Sequence, residues 1–291
     1  MRLHEIFAAS ARDGVESLRK AESMIRGGDV VAGVHQMRTA SRRLRSSLKY
    51  LGGHLPKALK RTLGSSLKEL MSSLGPVRDL DVLSGAIGET LAAEGESLRS
   101  VVNRRREHPA LRMLERLNGA EHKMLLRGLE ESAGFKGGAA VALAGPERMS
   151  HALAAAMAVK PESWDAASDE SLHELRKSIK RLRYALEAFQ PGYGRTMSRM
   201  ITACRELQEA LGAIQDASAF GELLQGTRTF AAGQFLATSK AAAGASRARL
   251  ADLWRRAFGP KPLGRFGAHL LRRAARTIAD IDGAPAASQS A

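Results

Sequence analysis

The residues best suited to chemistry in this chain are one histidine and a row of cations, and the pattern occurs twice. The first run, HQMRTASRRLRSSLKYL, starts at His35 and the second, HELRKSIKRLRYALEAF, at His173. His35, Arg38, Arg42, Arg43, Leu44 and Arg45 align without gaps to His173, Arg176, Lys180, Arg181, Leu182 and Arg183. Arginine forks two N–H donors toward one oxyanion, lysine acts as a mobile point charge, and histidine donates one N–H when neutral and two when protonated. His35, Arg38, Arg42, Arg45 and Lys49, with His173, Arg176, Lys177, Lys180 and Arg183, are therefore expected to be contacts for an extended polyanion. None of them is expected to be a catalyst. If the histidines touch the anion, affinity should strengthen as pH falls through about 6.5.

These residues need a helix to line them up. At about 100° per residue, His35, Arg38, Arg42, Arg45 and Lys49 fall within an arc of roughly 80°. The second copy places His173, Arg176, Lys180 and Arg183 in the same arc, joined by Lys177. Val34, Met37, Leu44, Leu48 and Leu51 occupy the neighbouring face of the first helix. Leu172, Leu175, Ile179, Leu182, Leu186 and Phe189 do so in the second, so each helix pairs an apolar stripe with a cationic one. The first stripe spans about 21 Å at 1.5 Å per residue. A merely solvated face would mix signs, yet no acidic residue occurs from Val30 through Lys68, a span that holds nine Lys or Arg with Lys68 included. Arg43 and Arg181 sit about 80° off the stripe, toward a neighbouring helix or the outer surface.

The whole molecule shares this sign. The 291 residues carry 45 Lys and Arg against 30 Asp and Glu, a net charge of +15, divided as +8 in residues 1–150 and +7 in residues 151–291. Such a field favours nucleic acid, anionic lipid or polyphosphate as partner. The single Cys204 has no disulfide partner in the chain and sits in an apolar helical pattern, which predicts a core role. The N-terminus shows no run of signal-peptide character, and no uncharged stretch reaches membrane-spanning length. The expectation is a cytoplasmic protein without membrane insertion.

The chain reads as all-α: aromatics are 4% and no period-2 strand is evident. Helices are expected from Glu5 to Ile25, from an Asp29 cap to Gly52–Gly53, from Pro56 to Leu74, and from Asp79 onward after a break at Gly75–Pro76. Another runs from Leu98 to Ser132, interrupted near His108–Pro109. A Gly/Ala-rich linker covers Gly137–Pro146. In the second half, Pro146–Glu147 opens a helix to Val159, Ser168 or Asp169 caps the basic helix, which stops before Pro191–Gly192, and the next helix runs from Arg195 to Leu211–Gly212. LKELMSSLGPVRDLDV from Leu67 matches CRELQEALGAIQDASA from Cys204, pairing Leu74, Gly75 and Asp79 with Leu211, Gly212 and Asp216. The offset is 138 residues at the histidine run and 137 here, which reads as an internal duplication. The expected organisation is one domain over residues 1–282, with repeats of about 1–140 and 145–282, and a disordered tail at 283–291.

The runs from His35 to Ser46, Leu74 to Val82 and Leu172 to Glu187 together resemble the CHAD family, the conserved histidine α-helical domain, over roughly residues 5–280. The resemblance implies two four-helix bundles related by a pseudo-twofold around a basic cavity. It also implies binding of inorganic polyphosphate and association with polyphosphate granules. Some relatives carry an N-terminal triphosphate-tunnel domain, and nothing here resembles one. Two positions depart from the pattern: Thr39 stands where the family often has Val, and Gln215 stands where the first half has Arg78. Asp79 and Asp216 are read as structural, as caps or partners of arginine.

Further cations widen the expected polyphosphate site: Lys57 and Arg61 on the third helix, and Arg195 and Arg199 on its counterpart. The rival readings are an RNA- or DNA-binding helical protein and a metal-dependent polyphosphatase. Only Tyr184 lies within either stripe, which makes for poor base stacking. The motifs GxxxxGK[ST], HExxH and GxSxG are missing, no Cys/His ligand cluster appears, and no cofactor or metal is expected. Asp79 and Asp81 could together hold Mg²⁺, but Asp81 becomes Ser218 in the second copy.

Overall fold

Helix formation follows the apolar periodicity, and where periodicity and proline disagree, periodicity wins. In the computed structural model, which describes residues 1–282, eleven helices form: α1 (Leu3–Arg26), α2 (Val30–Tyr50), α3 (Lys57–Leu91), α4 (Glu96–Asn118), α5 (Ala120–Ser132), α6 (Val141–Ala158), α7 (Asp169–Tyr193), α8 (Arg195–Leu223), α9 (Phe230–Ala248), α10 (Leu250–Phe258) and α11 (Pro260–Asp282). The expected tail, 283–291, lies outside the described residues. The fold is all-α; among the described residues the only extended pairing is a single bridge between Arg2 and Ala140, which ties the linker between the repeats to the N-terminus.

The caps follow the sequence. Asp29 accepts from the Ala32 N–H and Ser168 from the Ser171 N–H, each supplying an acceptor to a first-turn donor. Gly28 and Gly194, at φ 96° and 67°, take backbone that other residues resist, and so turn the chain before α2 and before α8.

The expected breaks at Gly75–Pro76, His108–Pro109 and Pro191 do not occur. Pro76 lies inside α3, Pro109 inside α4 and Pro191 inside α7, and α6 starts at Val141, ahead of Pro146. A mid-helix proline removes one backbone bond and crowds the preceding turn, at about 3 kcal/mol. Along α3 that loss is offset by an unbroken buried stripe, Leu63, Leu67, Leu70, Leu74, Val77, Leu80, Leu83, Ile87 and Leu91, each leucine worth about 1.5–3 kcal/mol. A separate helix starting at Asp79 therefore does not exist, and α8 likewise runs past Gly212 to Leu223.

The core divides differently from the repeats. One continuous apolar cluster joins α1, α2, α5, α6, α7, α10 and α11 with the first half of α3, α8 as far as Ile214 and the second half of α4 at Met113 and Leu117; Phe7, Met37, Leu67, Leu182 and Phe189 are fully buried in it. The ends of α3 and α8 leave this core and build a second one with the first half of α4 and with α9, around Leu83, Ile87, Val102, Phe220 and Phe235. The interior is thus not partitioned into one closed bundle per repeat.

Helix α2 packs on α1, α3 and α7. Its approach to α1 depends on glycine: a Cβ at Gly14 would lie 2.5 Å from Leu44, and one at Gly33 would lie 2.6 Å from Ile25. The α2–α7 contact is antiparallel. Ser46 Oγ donates to the Tyr184 carbonyl at 3.0 Å, and the Tyr50 hydroxyl donates to the Arg181 carbonyl at 3.1 Å. Ser46 and Tyr184 hold equivalent places in the two runs, 138 residues apart, so the basic helices touch at equivalent points.

Candidate functional site

The α2–α7 contact brings the cations of the two runs together. Lys180, half-buried on α7, lies in the field of Arg176 on its own helix and of Arg42 and Arg38 on α2. Burial first, then these three cations, pushes its pKa down to about 8, against a smaller opposing pull from Asp216. Burial also lowers Arg38, against an upward pull from Asp79 and further downward pushes from Arg42 and Arg78. Cations from both runs are therefore concentrated here, with Asp79 and Asp216 as the nearby counter-charges.

The two arginines nearest this centre are seated in the same way. The backbone of Gly75 on α3 lies against Arg38, whose Nη1 would be 3.5 Å from a Cβ there. Gly212 on α8 lies against Arg176, with Nη2 at 3.5 Å and Nε at 3.8 Å from the equivalent point. Four residues on, Asp79 attracts Arg38 and Asp216 attracts Arg176, although neither forms a direct ion pair among the described residues. The expectation that these aspartates partner arginine holds as a longer-range pairing. Crowding by protein raises both carboxyl pKa values, and Asp79 adds a further upward push on Asp216. Arg176 Nε is buried and has no hydrogen-bond partner among the described residues.

The histidines differ between the halves. His173 Nδ1 meets Gln215 Oε1, and His35 instead faces Arg78, the residue at the position equivalent to Gln215. Desolvation, then Arg78, Arg42 and Arg38, lowers the His35 pKa below its usual 6.5.

The far end of the first stripe opens into a cleft of about 470 Å³ lined by Arg42, Arg45, Lys49, Lys60, Arg181 and Tyr184, among others. Arg42 approaches the Tyr184 ring at 6.0 Å from one helix and Arg183 at 4.6 Å from its own. Lys60 of α3 belongs to this cleft, and so does Arg181, although the arc count left Arg181 aside. Contact with α2, which angular position on α7 alone does not encode, puts Arg181 there.

Not every expected site residue is free for a ligand. Lys177 is paired with Glu174. Arg183 is held by Glu187 at 2.7 Å and by Gln208 at 2.8 Å, and Glu187 also takes Arg205 at 3.0 Å. Glu187 stands where the first run has Lys49, so the stripe ends in a cation in one half and an acid in the other. Lys57, Arg61 and Arg195 are exposed. Arg199 does not reach the centre: it lines a cleft between α8, α10 and α11.

The Asp79/Asp81 pair does not converge. Asp81 is buried and its Oδ1 accepts from Arg106 Nε of α4 at 2.5 Å, so its carboxylate is engaged in the second core. No group of three or more potential metal ligands occurs among the described residues. Cys204 is buried, and its pKa is pushed up to about 12 by that burial, so the thiol stays protonated in the core.

The sequence model of the CHAD domain matches residues 9–225, the span from α1 to the end of α8. The chain belongs to the CHAD domain family. Among solved structures it is similar to the crystal structure of the CHAD domain from the plant Ricinus communis, with 27% identity, a TM-score of 0.62, and coverage of 93% of this chain and 92% of that one. It also shares its fold with PptA from Streptomyces chartreusis, at 17% identity and a TM-score of 0.58, covering 88% of this chain and 100% of that one. No curated protein sequence matches it. Helices α9, α10 and α11 lie beyond the span of the CHAD model.

Proposed function

We propose that this CHAD protein binds inorganic polyphosphate without turning it over, gripping the chain between α2 and α7. The observation that carries the reading is the convergence of Arg38, Arg42, Arg176 and Lys180 across the antiparallel contact; burial first, and then the neighbouring cations, bring Lys180 down to about 8. Cations are held in such mutual repulsion only at an energetic cost, which a bound polyanion relieves. The family's association with polyphosphate supports the choice of anion. So does the shortage of exposed aromatic faces, since a base-bearing polymer gains much of its affinity from stacking.

In this reading Arg38 and Arg176 are the fixed donors. Glycine brings each guanidinium against the backbone of a neighbouring helix, and an aspartate at longer range keeps it oriented without neutralising it. Arg42, Lys180, Arg45 and Lys49 extend the row of charge toward the Tyr184 cleft. The contact between the equivalent positions Ser46 and Tyr184 supports an approximate twofold, under which a repeating anion meets like residues from both repeats. The same grip would recruit the protein to polyphosphate granules.

Two measurements test the proposal. Long-chain polyphosphate should displace labelled RNA at equal phosphate concentration, and RNA displacing polyphosphate with equal efficiency would contradict the assignment. Incubation with polyphosphate and Mg²⁺ should release no phosphate; release at a rate proportional to protein would overturn the non-enzymatic part.

A further inference from the structure

A second basic cleft lies at the edge of the span that carries the family signature, between α8 inside it and α10 and α11 beyond it. The cleft between α8, α10 and α11 has a volume of about 560 Å³, and four arginines line it: Arg199, Arg256, Arg265 and Arg272. No acidic residue lines it among the described residues. Only Arg256 is engaged elsewhere, with Asp252 at 3.2 Å and Glu206 at 4.0 Å. Arg199, Arg265 and Arg272 are exposed and form no ion pair among the described residues. Pro262 and Gly264, in the opening turns of the 23-residue α11, also line the cleft, so the positive end of that helix dipole adds to the field.

The site is separate from the central one. Arg199 precedes Asp216 by 17 residues on α8, which is about 25 Å along the axis at 1.5 Å per residue. The same separation turns Arg199 roughly 100° away from Asp216, toward α10 and α11.

We infer that this cleft binds a second stretch of bare oligophosphate. Three arginines without acid partners match clustered phosphate oxygens. The aromatic residue of the lining, Phe266, is only 4% exposed and offers no face for a base, which favours phosphate over nucleotide. Combined with the proposed central grip, on which this consequence rests, two sites on one molecule would let it hold two strands at once. Each second capture then occurs at raised effective concentration.

The test is calorimetric titration of the full chain with tripolyphosphate, which is too short to span both sites. Two binding events per chain are expected. R199Q/R265Q/R272Q should remove one and leave the affinity of the other within about twofold, as expected for independent sites. R38Q/R176Q/K180Q should remove the other and spare the first. The single variant R265E changes an exposed side chain, so it serves if the triple variant loses helicity by circular dichroism; it should weaken the outer event at least tenfold. Long-chain polyphosphate should scatter light with the native protein and much less with R199Q/R265Q/R272Q. An unchanged titration in both outer variants would overturn the second site, and so would displacement of tripolyphosphate from it by a short oligonucleotide at equal phosphate. Loss of the outer event alone, with no effect of R38Q/R176Q/K180Q, would leave the second site standing and remove the central one.

Discussion

Lys180 is the residue where the account can be read most directly through pH. Its pKa in the folded chain is about 8, against 10.5 for a free lysine. Between those values the unfolded chain holds more protons than the folded one, so the ligand-free protein should gain stability as pH rises from 8 to 10.5. Below 8 the penalty of a buried, repelled charge is fully present. Binding runs the other way: a phosphate needs the proton on Lys180, so affinity should be flat in this group below pH 8 and fall above it. The arginine variant K180R should remove that alkaline fall, and a native profile flat to pH 9.5 would show that Lys180 stands outside the site. On the acid side, His35 has its pKa depressed by desolvation and by Arg78, Arg42 and Arg38. A bound anion would raise it, so affinity should climb as pH drops below about 6.5, and H35Q should abolish the climb in that window. Protonation of Asp79 and Asp216, both raised by crowding, would strengthen binding further at lower pH by freeing Arg38 and Arg176.

At the scale of the helix, position depends on small contacts that the charge pattern does not display. Gly14 admits Leu44 at the α1–α2 crossing, where a Cβ would come within 2.5 Å. G14A should cost about 1–3 kcal/mol in urea unfolding by overpacking, and should weaken polyphosphate binding by shifting α2. Arg106 plays the corresponding part in the second core, facing the buried Asp81. R106L would strand that carboxylate and should destabilise the protein by about 3–5 kcal/mol, with little change in anion affinity. A stability loss under 1 kcal/mol would mean that Asp81 finds water or another donor. The sequence made the basic helices and their caps legible, because Asp29, Ser168 and the apolar spacing are local signals. It misplaced the ends of α3, α4 and α7, because Pro76, Pro109 and Pro191 carry a local penalty that burial of distant leucines and of Phe189 outweighs. Lys177 and Arg183 were drawn into the site by angle alone. Glu174 is visible three residues away, but the pairing of Glu187 with both Arg183 and Arg205 needs α8 in place.

The whole molecule sets two stripes, separated by 138 residues of sequence, against each other. The repeat announced that two like halves exist; the contact of Ser46 with Tyr184 and of Tyr50 with Arg181 is what makes them one surface. The outer cleft was not legible from the stripes, since Arg199 reads as a cation that widens the central site until α10 and α11 close around it. The central claim is best tested by the affinity of the variant R38Q/R42Q/R45Q/R176Q/K180Q for tripolyphosphate, measured in the R199Q/R265Q/R272Q background so that the centre alone is read. At about 1.5 kcal/mol or more per charged contact, the account predicts a loss exceeding a thousandfold in a chain that keeps its helicity and cooperative unfolding. Affinity within tenfold of the background protein, in a folded variant, would contradict it.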